Sequence, residues 1–336
     1  SMEHEPSFSI TLYQAMAARN CGGKVIAQVK RTAARGSLKP QMVRVPGILV
    51  DAVVVAEDQK QATGIDYDPG ASGELRKPWT KIEEVPLGIE KILTRRSLME
   101  LRNGDVVNLG FGIPSQISQV ALEEGLIGQI TYTVEHGAIG GVPLAGLQFG
   151  GAFNPQAIID STAQFDFLTG GGINAACMAF AEVDRKGNVN VSKLKKIPHV
   201  LAGVGGFIDI VQNVKRVVYL GTLNTGGTKI AIENGKVRVF QEGKVVKFVD
   251  QVQHLTFDAS MALKKGQEVV YITERGVFQL TTTGLVLTEV APGIRVQEHI
   301  VPAVAFPFKT LPDVKEMDKR IFRPEPMGIK SDPPWV

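Results

Sequence analysis

Two rhythms of apolar residues alternate along most of this chain. The stretch "GIEKILTRRSLMELR" (88–102) places apolar residues at helical spacing, and Asn103 and Gly104 end it. "DVVNLGF" (105–111) reads as a buried strand, and "PSQISQVALEEG" (114–125) as a helix with Pro114 in its first turn. "ITYTVEH" (130–136) is β-like again. Strand, helix and strand within about 30 residues make a βαβ unit. The predicted fold class is therefore α/β, an open sheet with parallel core strands flanked by helices. Further on, "INAACMAFAEVDRKGNVNV" predicts two strands around a turn at 185–188. Residues 206–215 read as a short helix and 216–222 as a strand. "TKIAIENGKVRVFQEGKVVKFVDQ" alternates as a small meander, and "EVVYITERGVFQLTTTGLVLTEVAPG" adds strands. The proline-rich tail from Pro302 is expected to wrap a surface.

Upstream, "LYQAMAARN" (12–20) is helical, and "KVIAQV" (24–29) and "VRVPGILVDAVVVA" (43–56) read as strands. Pro46 marks a bulge or an edge in the second. Residues 57–85 are polar and rich in Pro, Gly, Asp and Lys, with almost no periodicity, which is the pattern of a linker. The chain is thus expected to divide into 1–56, a linker at 57–85, and 86–336.

Composition refines this little. The 336 residues are 44% hydrophobic and 21% charged, ordinary for a globular chain long enough for two domains. The net charge of +3, from 37 basic and 34 acidic residues, carries no nucleic-acid footprint. No run approaches the roughly 18 apolar residues of a membrane span. "SMEHEPSFSI" lacks the basic start and apolar core of a signal peptide, and a helical pattern follows almost at once, so further sequence upstream of Ser1 is expected. Cys21 and Cys177 fit neither a disulfide framework nor a metal spacing, and read as small buried apolar residues. A cytoplasmic location is the expectation from these features.

Candidate chemistry gathers at glycine-rich turns. "NLGFGIP" (108–114) joins a strand to a helix, where backbone N–H groups can face an anion. It matches neither a dinucleotide fingerprint nor a Walker loop. "EHGAIGG" (135–141) puts Glu135 at a strand end before a glycine turn. Local sequence leaves Glu135 open between a nucleophile or base and an acceptor for the Gly137 or Ala138 N–H. His136 points to the opposite face and is read as packed or surface. "GVGGF" (203–207) and "FLTGGGIN" (167–174) are further turns. Lys193, Lys195 and Lys196 read as a solvated basic face, and Asp105 as the polar lead-in to its strand. No His, Cys or Asp set has metal-ligand spacing.

In order, "NLGFGIP", "TVEHGAIGG", "FLTGGGINAACMAFAEVDRKGNVNV", "GVGGFIDIV" and "LTEVAPGI" resemble the family I CoA-transferases, closest to the acetate/propionate branch acting on short-chain acyl-CoA. The resemblance covers most of residues 85–308. It implies that Glu135 is the catalytic glutamate that forms a glutamyl-CoA thioester. It also implies that Asn108, Gly110 and Gly112 line the active site. Gly203, Gly205 and Gly206 match a glycine loop associated with CoA and the oxyanion. Family members have two similar α/β halves, so residues 1–56 resemble the end of an N-terminal half, most of which this sequence lacks.

The implied chemistry is ping-pong transfer between an acyl-CoA and a short-chain carboxylic acid. A carboxylate attacks the thioester, an anhydride forms, and the CoA thiolate returns to give glutamyl-CoA. CoA is then a substrate, no cofactor or metal is needed, and a homo-oligomer without nucleic-acid or membrane partners is expected. Two readings compete: an acyl-CoA hydrolase using the same glutamate, and a non-catalytic ligand-binding protein on the same scaffold. A sugar-phosphate isomerase would need a phosphate site that is not evident in the sequence.

Overall fold

The computed structural model describes residue 2, residues 4–194 and residues 203–336. Helix α1 (Thr11–Asn20) leads to strands β1 (Ile26–Val29) and β2 (Ala52–Val55), helix α2 (Ile89–Leu98), strand β3 (Val106–Leu109) and helix α3 (Ile117–Glu123). Short strands β4 (Thr131–Thr133), β5 (Ala138–Ile139), β6 (Val142–Pro143), β7 (Ala152–Phe153) and β8 (Ala157–Ile158) precede helix α4 (Ser161–Thr169). Next come β9 (Ala175–Ala179), β10 (Glu182–Asp184), β11 (Val189–Asn190), helix α5 (Phe207–Gln212), β12 (Arg216–Leu220) and β13 (Asn224–Thr225). The remainder holds β14 (Lys229–Glu233), β15 (Lys236–Gln241), β16 (Val245–Val246), β17 (Phe248–Val249), helix α6 (Ala259–Lys264), β18 (Glu268–Ile272), β19 (Gly276–Thr281), β20 (Gly284–Val290) and β21 (Lys309–Glu316). Two compact units form: residues 1–78 with 133–166, and residues 79–132 with 167–336.

The larger unit is built on a sheet in the order β21-β20-β19-β18-β12-β9-β3-β4. β3, β9, β12 and β18 run parallel, and β19 and β20 return as antiparallel neighbours. This is the α/β architecture that the apolar pattern predicts. β12 is buried at every position, and Ala175, Ala176 and Cys177 of β9 are fully buried. Strands covered on both faces read as unbroken apolar runs, which is why these two were visible in the sequence. The turn predicted at 185–188 joins β10 to β11, with the Asp184 carboxylate accepting from the N–H groups of Lys186 and Asn188 at 2.9 and 3.0 Å.

The smaller unit pairs β1 with β2 in parallel and leaves apolar side chains in water, with Ile26 67% and Val53 54% exposed. Elsewhere in it Val134, Ala138 and Ala152 pack with Phe149, and Ile65, Ala71 and Leu144 with Phe153. Asn154 ties residue 77 into this unit: its Oδ1 accepts the Lys77 N–H at 2.8 Å, and its Nδ2 donates to the Lys77 carbonyl at 2.9 Å.

Four expectations change. Residues 43–51 are not strand; Pro46, which lacks an N–H, leads into a 3₁₀ turn at Gly47–Leu49. The tail does more than wrap, because Lys309–Glu316 joins the sheet as an edge strand parallel to β20. Its register shifts between Leu287 and Glu289, opposite the stretch that carries Pro312, and an edge tolerates that missing donor. Cys21 is exposed, whereas Cys177 is buried and burial pushes its thiol pKa up. Asp105 is more than a lead-in: its carboxylate accepts the Arg102 N–H and forms a buried ion pair with Arg216 at 2.9 Å.

Helix α2 is buried around most of its circumference, including Lys91, Arg95 and Arg96. A buried charge needs a partner. Lys91 pairs with Glu123 at 2.7 Å, and Arg96 meets both carboxylate oxygens of Glu289 at 2.9 and 2.8 Å. Arg95, fully buried, donates instead to main-chain carbonyls of the tail, among them Ile321 at 3.3 Å and Glu325 at 2.8 Å. From α3's end, Glu124 accepts the N–H groups of Met327 and Gly328 at 2.7 and 2.8 Å. Arg95→Met leaves these carbonyls without donors. It is expected to cost about 3 kcal/mol in urea unfolding and to open the tail to limited proteolysis. An unchanged midpoint with an uncut tail would show that Arg95 does not hold the tail.

Candidate functional site

Glu135 stands at the tip of a tight hairpin in the smaller unit. Thr133 pairs with Ile139, the Val134 N–H donates to the Ala138 carbonyl at 2.9 Å, and the Gly137 N–H donates to the Val134 carbonyl at 2.9 Å. The loop is thus Glu135, His136 and Gly137, with Gly137 at φ 108°, the three-residue hairpin that ends in a glycine. The Gly137 N–H, one of the two donors a capping Glu135 would use, goes to the Val134 carbonyl.

Side chains hold this loop from outside it. Ser161 Oγ donates to the Glu135 carbonyl at 2.8 Å, and Ser7 Oγ donates to the His136 carbonyl at 3.0 Å. Both serines are buried. The Glu135 side chain is half-buried. His136 packs its ring edge-on to Phe149 with centroids 5.9 Å apart, and burial lowers its pKa. It is therefore a packed histidine, neutral at pH 7. Neither serine stood out in the sequence, because their roles depend on contacts 26 and 129 residues away.

Asn108, Gly110 and Gly112 lie in the larger unit, at the carboxyl end of β3. Asn108 is buried at 1% exposure. The Gly110 N–H donates to the Cys177 carbonyl at 2.9 Å, and a Cβ there would lie 3.1 Å from Met178 Sδ. Gly112, at φ 83°, precedes the 3₁₀ turn Ile113–Gln116, and open space lies where its Cβ would be. Between the two glycines Phe111 stands 60% exposed. Gly203 and Gly205 have φ of 74° and 51° with open space beside them, and Gly206 precedes α5. Since α5 leads into the amino end of β12, this turn also lies toward the carboxyl ends of the parallel strands, where open α/β sheets bind ligands. Lys193 is exposed; Lys195 and Lys196 lie outside the described residues. Among the described residues no group of three His, Cys, Asp or Glu is placed to hold a metal ion, and no helix is long and apolar enough to cross a membrane.

The hairpin's dependence on glycine is measurable. A Cβ on Gly137 would lie 1.9 Å from the Ile159 carbonyl oxygen, besides the unfavourable φ. Gly137→Ala is expected to cost at least about 2 kcal/mol in thermal or urea unfolding. Gly112→Ala, strained in φ alone, is expected to cost about 1 kcal/mol. Equal, small losses at both positions would mean that the close approach at 137 is not rigid.

No family model matches the chain. It is 42% identical over 337 residues to the caffeate CoA-transferase of Acetobacterium woodii, covering 98% of this chain and 64% of that protein. It is 41% identical over 330 residues to the acetate CoA-transferase YdiF of Escherichia coli strain K12, covering 98% of this chain and 62% of that one. The chain thus spans somewhat less than two thirds of the curated relatives it matches. The crystal structure of the YdiF apoenzyme from Escherichia coli O157:H7 superposes with a TM-score of 0.87 at 41% identity, covering 97% of this chain and 61% of that one. Glutaconate coenzyme A-transferase from Acidaminococcus fermentans shares the fold alone, with a TM-score of 0.53 at 17% identity over 72% of this chain and 91% of that one. With the same fold and this identity over nearly its whole length, the chain belongs to the family I CoA-transferases.

Proposed function

We propose that this chain is the part of a short-chain acyl-CoA:carboxylate CoA-transferase that carries the nucleophile, Glu135. The observation that supports this most is the hairpin itself: a half-buried carboxylate on a loop fixed by two serine hydroxyls and a glycine that tolerates no side chain. A relative 40% identical to this chain was crystallised as a thioester complex with CoA, which agrees with covalent chemistry at a carboxylate.

In this reading the Glu135 carboxylate attacks the acyl-CoA carbonyl and expels the CoA thiolate, leaving a mixed anhydride. The thiolate attacks the glutamyl carbonyl, releasing the free acid and leaving glutamyl-CoA. An acceptor acid reverses both steps, so the kinetics are ping-pong. Each tetrahedral intermediate bears an oxyanion, which main-chain N–H groups stabilise best when already in place. We assign that role and CoA binding to the turns at Asn108, Gly110 and Gly112 and at Gly203, Gly205 and Gly206. Water has to be excluded, because anhydride and thioester both hydrolyse. We assign the exposed parallel pair β1–β2 to the end of a second α/β domain, since parallel strands are ordinarily covered on both faces.

The test is mass spectrometry after incubation with acetyl-CoA, with and without borohydride. A CoA-mass adduct, or reduction to an alcohol, is expected on the peptide bearing Glu135. Glu135→Gln is expected to lose the adduct and to slow CoA transfer by roughly a thousandfold or more. Undiminished transfer by Glu135→Gln would refute the assignment. CoA release that is independent of an acceptor acid would point to the hydrolase instead.

A further inference from the structure

Lys247, just before β17, sends its side chain across the carboxyl ends of two core strands. Its Nζ stands 4.2 Å from the centre of the Phe180 ring, and Phe180 is the first residue after β9. It also occupies the space over Gly221, the first residue after β12: a Cβ on Gly221 would lie 3.0 Å from Nζ and 3.2 Å from the Phe180 ring. The Lys247 carbonyl accepts the Val183 N–H at 2.8 Å, which anchors this segment beside β10. The missing side chain at 221 is what leaves the ammonium its room.

Among the described residues, the carboxylates on the neighbouring elements have other partners. Glu274, fully buried in the turn after β18, accepts the Leu223 N–H at 2.9 Å and Arg275 Nε at 3.0 Å. Arg275 in turn meets both oxygens of Glu242 at 2.8 Å. On the strand beside β17, Glu182 accepts from Asn190 and Gln253, and Asp184 from the 185–188 turn. No described residue accepts a hydrogen bond from Lys247 Nζ or forms an ion pair with it. Burial lowers the Lys247 pKa to about 8, with the Glu274 charge opposing. A half-buried ammonium that forms no ion pair with any described residue is costly, and it lies at the end of the sheet where this fold class binds ligands.

We propose that Lys247 is an anion-binding residue whose ammonium takes a substrate oxyanion, from a CoA phosphate or from the free carboxylate, over the carboxyl ends of β9 and β12. The assignment rests on the CoA-transferase reading and adds to it a substrate contact outside the glycine turns. An arriving anion supplies the missing counter-charge and favours the protonated amine, so binding near pH 8 takes up a proton. The stack on Phe180 holds the cation in place beforehand and adds an attraction of its own.

The experiment compares the wild-type protein with Lys247→Met and Lys247→Arg. CoA binding is followed by calorimetry in two buffers of different ionisation enthalpy, and acetate binding by saturation-transfer NMR. Lys247→Met is expected to weaken one of the two anions roughly ten- to a hundredfold, and Lys247→Arg to keep most of the affinity. Loss for CoA identifies the phosphate as the anion; loss for acetate identifies the carboxylate. At pH 8 the wild type is expected to take up about half a proton on binding that anion, and Lys247→Met none. Should Lys247→Met fail to fold, Gly221→Ala crowds the ammonium without removing its charge and is expected to weaken the same anion. Equal affinities and equal proton uptake in wild type and Lys247→Met would overturn the proposal, as would a wild type that binds neither anion. Proton-linked binding without a glutamyl adduct would uphold Lys247 and reject the transferase reading.

Discussion

Two main-chain carbonyls set the geometry on which the Glu135 loop depends. The Ile159 oxygen lies 1.9 Å from where a Gly137 Cβ would be, and the Phe153 oxygen 2.1 Å from where a Gly141 Cβ would be. The chain passes itself so closely on either side of β5 that only hydrogen fits. Glycine ordinarily loosens a backbone; here neighbouring strands and the Ser161 and Ser7 hydroxyls remove that freedom. The Glu135 main chain is therefore placed before any ligand arrives, and a nucleophile at this position, as proposed, loses little ordering entropy on reaction.

The larger unit is electrostatically lopsided along its strands. At their amino ends charges are matched: Arg216, which opens β12, meets Asp105 before β3 and Glu268 at the start of β18. At the carboxyl ends open space lies beside Gly112, Gly203 and Gly205, Phe111 stands in water, and among the described residues the Lys247 ammonium forms no ion pair. One end of the sheet is finished as structure, the other left incomplete in the manner of a binding surface.

What the sequence disclosed and what it hid divide by range of interaction. β9 and β12 were legible because burial on both faces gives unbroken apolar runs, and the 185–188 turn because Asp184 organises it locally. Glu135 was legible as a residue but open in role, since a carboxylate before glycines has the same local pattern whether it caps or reacts. Residues 43–51 looked β-branched enough for a strand, yet Pro46 diverted them. β21 lies in a proline-rich tail that read as a surface wrap, yet a sheet edge accommodated its Pro312. Lys247 reads as the polar position of an alternating strand, and only the packing of Phe180 and Gly221 around it marks it out. The ordered set of glycine turns carried more than any one of them, because their sequence reflects a whole architecture.

The capture of the tail by helix α2 also constrains the order of events in folding. Arg95 and Ile321 are 226 residues apart in sequence, and Glu124 and Met327 are 203 apart. Loop-closure entropy for such contacts is paid before any of them forms. Until then α2 carries a guanidinium that cannot be buried at low cost, which opposes full docking of the helix on the sheet in a partly folded chain. High contact order of this kind slows folding and prolongs exposure of the apolar strands. The tail thus acts as a late clasp: its arrival allows the charged helix to close over the sheet and shortens the time in which β9 and β12 can associate with the wrong partner.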